Sequence, residues 1–264
     1  MTNVAQLIKE AEHWSQKGQL DIAKMLWEEV IELRPTMSTA YANLGIIYAK
    51  YEEWRTALSY LNKAARLNTN SADVWHARGM ALLKLQQYQE ALHSFNHAIG
   101  LAPYQWTLFF SRGCLYGELQ LYKEALADYS EALSLNPDAI DARHNRGNIH
   151  IDLGQYQGAI DDFTDLIDRT PDNYLAHYHR GLAYVGQDNL DHAITDFNST
   201  LNLVPTFLPA KYNLACIYVR QSKIDSAIHL LRTVFQANPL MQHYARKDPD
   251  LANIHHHPMF ASPA

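Results

Sequence analysis

An alanine recurs every 34 residues along this chain, and this period constrains the fold more than any other feature. A fixed period of about 20 to 50 residues marks a stack of similar supersecondary units, and a period in this part of the range indicates paired helices. The chain is therefore predicted to fold as a stack of helix pairs. The recurring residues are Ala23, Ala57, Ala91, Ala125, Ala159, Ala193 and Ala227.

The residues around this alanine fall into one register, numbered here with the alanine as position 20. Position 8 is always glycine or alanine, and position 32 is proline in six of the seven copies. Small residues at positions 8 and 20 let two helices approach closely, while a bulky residue at position 24 fills the space beside them. Proline at position 32 cannot continue the second helix and separates one copy from the next. Position 24 holds Trp27, Leu61, Phe95, Tyr129, Phe163, Phe197 and Leu231.

This pattern resembles that of the tetratricopeptide repeat (TPR) family. Seven copies cover residues 4–241. The resemblance implies an all-α fold, a right-handed superhelical solenoid of seven helix-turn-helix repeats, followed by a C-terminal cap and tail over residues 242–264. The expected repeats are 4–37, 38–71, 72–105, 106–139, 140–173, 174–207 and 208–241.

Arginine stands where the family usually has leucine, at position 7, in four successive repeats. A charge at a helix-packing position is costly unless it is paired, and three of these repeats carry an aspartate at position 23. Pairing between repeats, such as Asp128 with Arg146, is one alternative, and Arg78 faces Ser94 instead of an aspartate. The predicted structural ion pairs are Arg112–Asp128, Arg146–Asp162 and Arg180–Asp196.

In the family, positions 2, 5, 9, 12 and 13 of the first helices line a concave groove, and in this chain these positions are mainly apolar. Exposed apolar surface usually marks a binding site, and an apolar groove suits an amphipathic helix or an extended peptide. The alternative is that these residues pack against neighbouring first helices. The predicted partner-binding residues are Ile46, Met80, Leu83, Phe110, Cys114, Ile151, Tyr178, Leu182, Val185, Tyr212 and Val219.

The segment after the last repeat is expected to cover its exposed apolar face, because terminal repeats need such a cover to stay soluble. Asp248 is a favourable N-cap and Pro249 a favourable first helical residue, so a short helix is predicted to start there and to stop before Pro258. Residues 240–258 are interpreted as this cap. The sequence leaves open whether the tail also fills the groove.

The sequence contains few signs of nucleic-acid binding, membrane spans, cofactors or metal sites. A net charge of −6 argues against nucleic-acid binding, and no apolar run is long enough to span a membrane. A low cysteine count suits a reducing compartment, so a cytoplasmic location is expected, with peripheral association with a membrane complex left open. No cofactor and no metal site are expected, although His93 and His97 share a helix face and residues 255–257 are a histidine run.

A subgroup of the family clamps the C-terminal carboxylate of chaperones, using lysine at position 5. In this chain no repeat has lysine at that position, so such a clamp is not expected. The sequence favours a non-enzymatic scaffold or adaptor that binds a partner protein or peptide, such as a complex-assembly factor. The alternatives are a self-assembling TPR scaffold that forms homo-oligomers and a regulatory module that senses a small ligand.

Overall fold

The computed structural model describes residues 3–260, and in this range it contains fifteen α-helices and two 3-10 helices. The predicted all-α repeat fold is confirmed. The first helices of the pairs are α1 (Val4–Gln16), α3 (Ser38–Lys50), α5 (Ala72–Lys84), α7 (Trp106–Glu118), α9 (Ile140–Asp152), α11 (Tyr174–Gly186) and α13 (Leu208–Arg220). The second helices are α2 (Leu20–Leu33), α4 (Trp54–Leu67), α6 (Tyr88–Leu101), α8 (Tyr122–Leu135), α10 (Tyr156–Arg169), α12 (Leu190–Leu203) and α14 (Ile224–Ala237).

The turn inside each pair is closed by one residue with a left-handed backbone. Such a residue is a common way to end a helix, because it turns the chain while the last carbonyl groups still accept hydrogen bonds. Only two of the seven are glycine, although glycine adopts this conformation at the lowest cost. The residues, all at position 15 with φ between 57° and 72°, are Gly18, Glu52, Gln86, Gln120, Gly154, Asp188 and Ser222.

The chain divides into two compact units, the first ending at Ala142 and the second beginning at Arg143, within α9. In the first unit, α1 to α8 follow one another as packed neighbours, and α5 contacts the first helices on both sides. In the second unit, α10 to α14 pack in the same sequential way. Within each unit, these helices thus pack mainly on elements next to them in the chain.

In the five repeats with glycine at position 8, contact between the helices of a pair depends on this glycine and on the bulky side chain at position 24. A Cβ atom built on Gly181 would lie 2.7 Å from the ring of Phe197, and one on Gly79 would lie 2.6 Å from Phe95. Both phenylalanine side chains are fully buried. The glycine is therefore required by close approach, since a side chain there would overlap the aromatic ring.

After the last helix pair the chain forms a C-terminal cap, defined as Pro239–Phe260. It consists of α15 (Pro239–Ala245) and two 3-10 helices, Pro249–Ile254 and Pro258–Phe260. The Asp248 side chain accepts a hydrogen bond from the backbone of Asp250 at 3.0 Å, as an N-cap does. The segment at Asp248 is a 3-10 helix, and α15 was not predicted from the sequence. Residues 261–264 of the expected tail lie outside the described residues.

Candidate functional site

The candidate site is the first-helix surface, defined as positions 2, 5, 9, 12 and 13 of the first helices. In the first unit, Ile46 on α3 is 39% exposed, and the other predicted residues are half-buried. The ring centroid of Phe110 lies 6.1 Å from that of Tyr129, and the buried Tyr129 ring supports the Phe110 ring. These side chains therefore present partly exposed apolar surface backed by the core. The half-buried residues are Met80, Leu83, Phe110 and Cys114.

In the second unit, most of the predicted residues also remain partly exposed. Tyr178 packs edge-on against Phe207 at 5.0 Å, and its hydroxyl accepts a hydrogen bond from Asn213 at 3.1 Å. Burial raises the pKa of Tyr178, and the Asn213 hydrogen bond opposes this only in part. The partly exposed residues are Ile151, Tyr178, Leu182, Val185 and Tyr212.

Val219 does not belong to an open surface. It is only 3% exposed and, together with Cys216, lies in the same buried cluster as Leu251 and Ile254 of the C-terminal cap. The cap lies over these two positions of α13, so Val219 is removed from the candidate surface. The protein's own chain therefore covers this surface in the last repeat.

A hydrogen bond also joins the cap to α13. The Tyr212 hydroxyl donates a hydrogen bond to the carboxylate of Asp248 at 2.5 Å. Burial raises the pKa of the Cys216 thiol, and the negative charges of Asp248 and Asp250 raise it further. A thiol with a raised pKa stays protonated near neutral pH and reacts slowly.

This arrangement predicts that opening the cap exposes Cys216. Leu251→Asp puts a charge at a fully buried position, so we expect the cap to detach and labelling of Cys216 by a maleimide to become faster by about tenfold or more. Peptide mapping separates Cys216 from Cys114. The control is Asn253→Asp, which adds the same charge at an exposed residue of the same 3-10 helix. Equal labelling rates in the two variants would contradict the packing described here.

A second set of contacts links position 5 of one repeat to position 6 of the next, 35 residues further on. His76 Nε2 lies 2.8 Å from Ser111 Oγ, and His179 Nδ1 lies 3.1 Å from His144 Nε2. Burial, and then the neighbouring His144, lowers the pKa of His179 to about 4. Burial also lowers the pKa of His76, so His76 and His179 are neutral packing residues near pH 7. These contacts were not predicted from the sequence, although polar residues 35 positions apart were the available signal.

Three of the four arginines at position 7 form bidentate pairs with the aspartate at position 23 of the same repeat. Arg112 donates to Asp128 at 2.7 and 2.8 Å, and Arg180 donates to Asp196 at 2.8 Å through both Nε and Nη2. Arg146 and Asp162 are joined in the same way, at 2.5 and 2.9 Å. In each case the hydrogen bonds to the carboxylate raise the pKa of the arginine.

Within residues 3–260, no three His, Cys, Asp or Glu side chains come together in an arrangement that could hold a metal ion. His93 and His97 lie beside the Trp75 ring, and His255 Nε2 lies 3.1 Å from the Ala245 carbonyl oxygen. None of the helices in the described range combines the length and apolar character needed to cross a bilayer.

Comparison with known proteins agrees with this geometry. Models of the tetratricopeptide repeat match residues 72–104 and 144–205, and a TPR repeat model matches residues 113–151. A helix-pair stack with this periodicity defines the class of TPR proteins. This chain is a tetratricopeptide repeat protein. A search of curated proteins found no match to the sequence.

Solved structures share the fold at low sequence identity. The C-terminal part of a TPR repeat-containing protein from Cytophaga hutchinsonii superposes with a TM-score of 0.75 at 12% identity, covering 88% of this chain and 95% of that one. A tetratricopeptide repeat protein from Parabacteroides merdae gives 0.65 at 20% identity, covering 89% and 93%. YrrB, a TPR protein with an unusual peptide-binding site, gives 0.62 at 23% identity, covering 70% and 95%.

Proposed function

We propose that this protein is a non-enzymatic scaffold whose first-helix surface binds a short segment of a partner protein. The observation that carries the proposal is intramolecular: the 3-10 helix Pro249–Ile254 packs on first helix α13. A peptide segment of this chain therefore lies on the first-helix surface of the seventh repeat. A surface that accepts its own peptide segment through apolar side chains suits a partner segment of similar chemistry.

The residues that hold the cap have counterparts in earlier repeats. Tyr212, Cys216 and Val219 occupy positions 5, 9 and 12 of the seventh repeat. The sixth repeat offers an aromatic and two aliphatic residues at the same positions, and all three are partly exposed. The third repeat likewise has apolar side chains at positions 9 and 12. The counterparts are Tyr178, Leu182 and Val185 in the sixth repeat, and Met80 and Leu83 in the third.

The cap also indicates what a partner segment would present. Leu251 and Ile254 are three residues apart and both are buried in the cluster on α13, while Asp248 accepts the hydrogen bond from Tyr212. Residues three apart lie on one face of a helical turn. We expect a partner segment with two apolar side chains at this spacing and a polar residue before them.

Loss of partner binding in surface variants tests this proposal. Phe110→Glu places a charge on the first-helix surface of the first unit, and Leu182→Glu does the same in the second unit. We expect the wild type to capture a partner from native lysate and the double variant to lose it. A buried unpaired charge costs enough to weaken binding by about a hundredfold or more. Circular dichroism verifies the fold of every variant.

The control is Tyr104→Glu, which adds a charge at an aromatic residue that is 85% exposed in the loop before α7. It is expected to retain the partner. If the double variant also retains the partner, the binding site lies elsewhere and the proposal is wrong. The finer roles of adaptor or assembly factor, and a cytoplasmic location, would follow from the identity and location of that partner.

Self-association is a second candidate, favoured by one feature of the cap. Leu240 and Tyr244 lie four residues apart on α15 and are 70% and 65% exposed, so they form an apolar patch on one helix face. Light scattering over a range of protein concentrations tests it. A mass that rises with concentration in the wild type, but not in Leu240→Glu, supports self-association, and a constant monomer mass opposes it.

A further inference from the structure

Arg78 is the one position-7 arginine that faces a serine. Its Nε donates to Asn62 Oδ1 at 2.7 Å and its Nη1 donates to the Ser94 hydroxyl. Among the described residues, Nη2 of Arg78 makes no hydrogen bond and the guanidinium forms no ion pair. The side chain is half-buried, so its positive charge is partly removed from water without a hydrogen-bonded carboxylate to balance it. This is a costly arrangement unless a ligand completes it.

The electrostatics of Arg78 differ from those of the paired arginines. Burial lowers the pKa of Arg78, and the charge of Glu90 opposes this only in part. In Arg112 and Arg180, hydrogen bonds to aspartate outweigh burial and raise the pKa. The third repeat therefore has the same cation as its neighbours but lacks their anion.

An open cavity of about 390 Å³ adjoins the Arg78 guanidinium between α4 and α5. A second arginine, the exposed Arg66, also lines it. The Trp75 ring lies 5.5 Å from the Arg78 guanidinium carbon and is held by a hydrogen bond from its indole nitrogen to the Thr69 carbonyl at 2.9 Å. The cavity lining is Asn62, Ala65, Arg66, Thr69, Trp75 and Arg78, with no acidic residue.

We propose that this cavity binds a carboxylate side chain, aspartate or glutamate, of a partner protein. The carboxylate would accept a hydrogen bond from Nη2 of Arg78 and a second from Arg66. The chain itself supplies the precedent, because in the next three repeats the same arginine is satisfied by a carboxylate. Bidentate or shared guanidinium–carboxylate contacts are among the stronger charge-assisted hydrogen bonds.

The site is separate from the first-helix surface. Its residues come from α4, the following turn and positions 4 and 7 of α5, whereas the first-helix surface of that repeat uses positions 9 and 12. It recognises charge instead of apolar side chains. Its test is therefore independent of the proposed binding of an apolar segment.

The experiment titrates the full chain with N-acetylglutamate amide at constant ionic strength, and follows the Trp75 indole N–H and the Arg78 Nε–H by NMR. Parallel titrations use N-acetylglutamine amide and inorganic phosphate. We expect saturable shifts of both signals with the glutamate compound and none with the glutamine compound. Saturation by phosphate alone would overturn the assignment to a carboxylate.

Ser94→Asp is the decisive variant, because it places an internal carboxylate at position 23, as in the three following repeats. It is expected to raise the melting temperature and to weaken glutamate binding by about tenfold or more. When the melting temperature of this variant is at least that of the wild type, a loss of binding cannot result from unfolding. Undiminished binding in Ser94→Asp, or no saturable shift in the wild type, would overturn the proposal.

Arg66→Gln and Arg55→Gln form a matched pair, since both remove a charge from an exposed arginine of α4 and only Arg66 lines the cavity. We expect Arg66→Gln to weaken glutamate binding severalfold and Arg55→Gln to leave it unchanged. Equal effects of the two substitutions would mean that the shifts report general charge attraction, and the assigned site would be wrong.

Discussion

Asp196→Ala is expected to lower the free energy of unfolding by about 3–5 kcal/mol, the usual cost of leaving one partner of a buried ion pair alone. Asp196 is 2% exposed and accepts two hydrogen bonds from Arg180 at 2.8 Å. His177 Nδ1 lies 3.3 Å away and loses the same partner. Removal of the carboxylate leaves the Arg180 guanidinium half-buried without a counter-charge.

A double substitution provides the control. The seventh repeat holds Leu214 and Leu230 at the positions of this pair, so the same chain shows that two leucines can fill the space. Arg180→Leu with Asp196→Leu is expected to recover most of the loss, because replacing both partners by apolar groups avoids the unpaired charge. Urea unfolding followed by circular dichroism measures each variant. A double variant as unstable as Asp196→Ala would argue against this account of the pair.

The sequence was sufficient to predict the helix pairs, because each repeat packs mainly on its neighbours and the same residues return at the same positions. The alanine at position 20 and the glycine at position 8 predict close helix contact, as Gly79 against Phe95 shows. The cost of an isolated charge at a packing position predicts that Arg112 is paired, and the structure shows Asp128 of the same repeat as its partner. The recurrence of residue types thus predicts the features that depend on those residues.

Features that no recurring residue type marks were harder to predict. Glu52 and Asp188 take a left-handed backbone where glycine would have been the signal. The cap lies outside the repeats, so the burial of Val219 beneath it could not be read from position 12 alone. The sequence predicts that Arg78 faces a serine. It does not predict the cavity beside Arg78, because the cavity lining includes Arg66 from the preceding helix.

Phe197→Ala is expected to be the other strongly destabilising substitution, with a loss of about 3–5 kcal/mol. The Phe197 side chain is fully buried against Gly181, whose missing side chain makes room for the ring. Truncation therefore leaves a void that the glycine cannot fill. Phe197→Leu should cost less, because Leu231 occupies the same position in the seventh repeat beside Ala215.

The pairing of positions 8 and 24 makes a sharper test possible. Gly181→Ala alone is expected to cost about 1–3 kcal/mol, because its Cβ would overlap the Phe197 ring. Combined with Phe197→Leu, it reproduces the Ala215–Leu231 pair, and the double variant is expected to be more stable than the sum of the single losses predicts. Urea unfolding of the four proteins completes the cycle, and simple additivity would contradict direct packing between the two positions.

Phe197, at position 24, also connects the core to the proposed binding surface. The Phe197 ring centroid lies 5.8 Å from that of Tyr178, a residue of the first-helix surface, so the buried ring supports the exposed one. Phe197→Ala removes this support even where the helices remain folded. If Tyr178 takes part in binding, the variant should bind the partner more weakly while circular dichroism still shows native helix content. Unchanged affinity under those conditions would place the binding surface away from Tyr178.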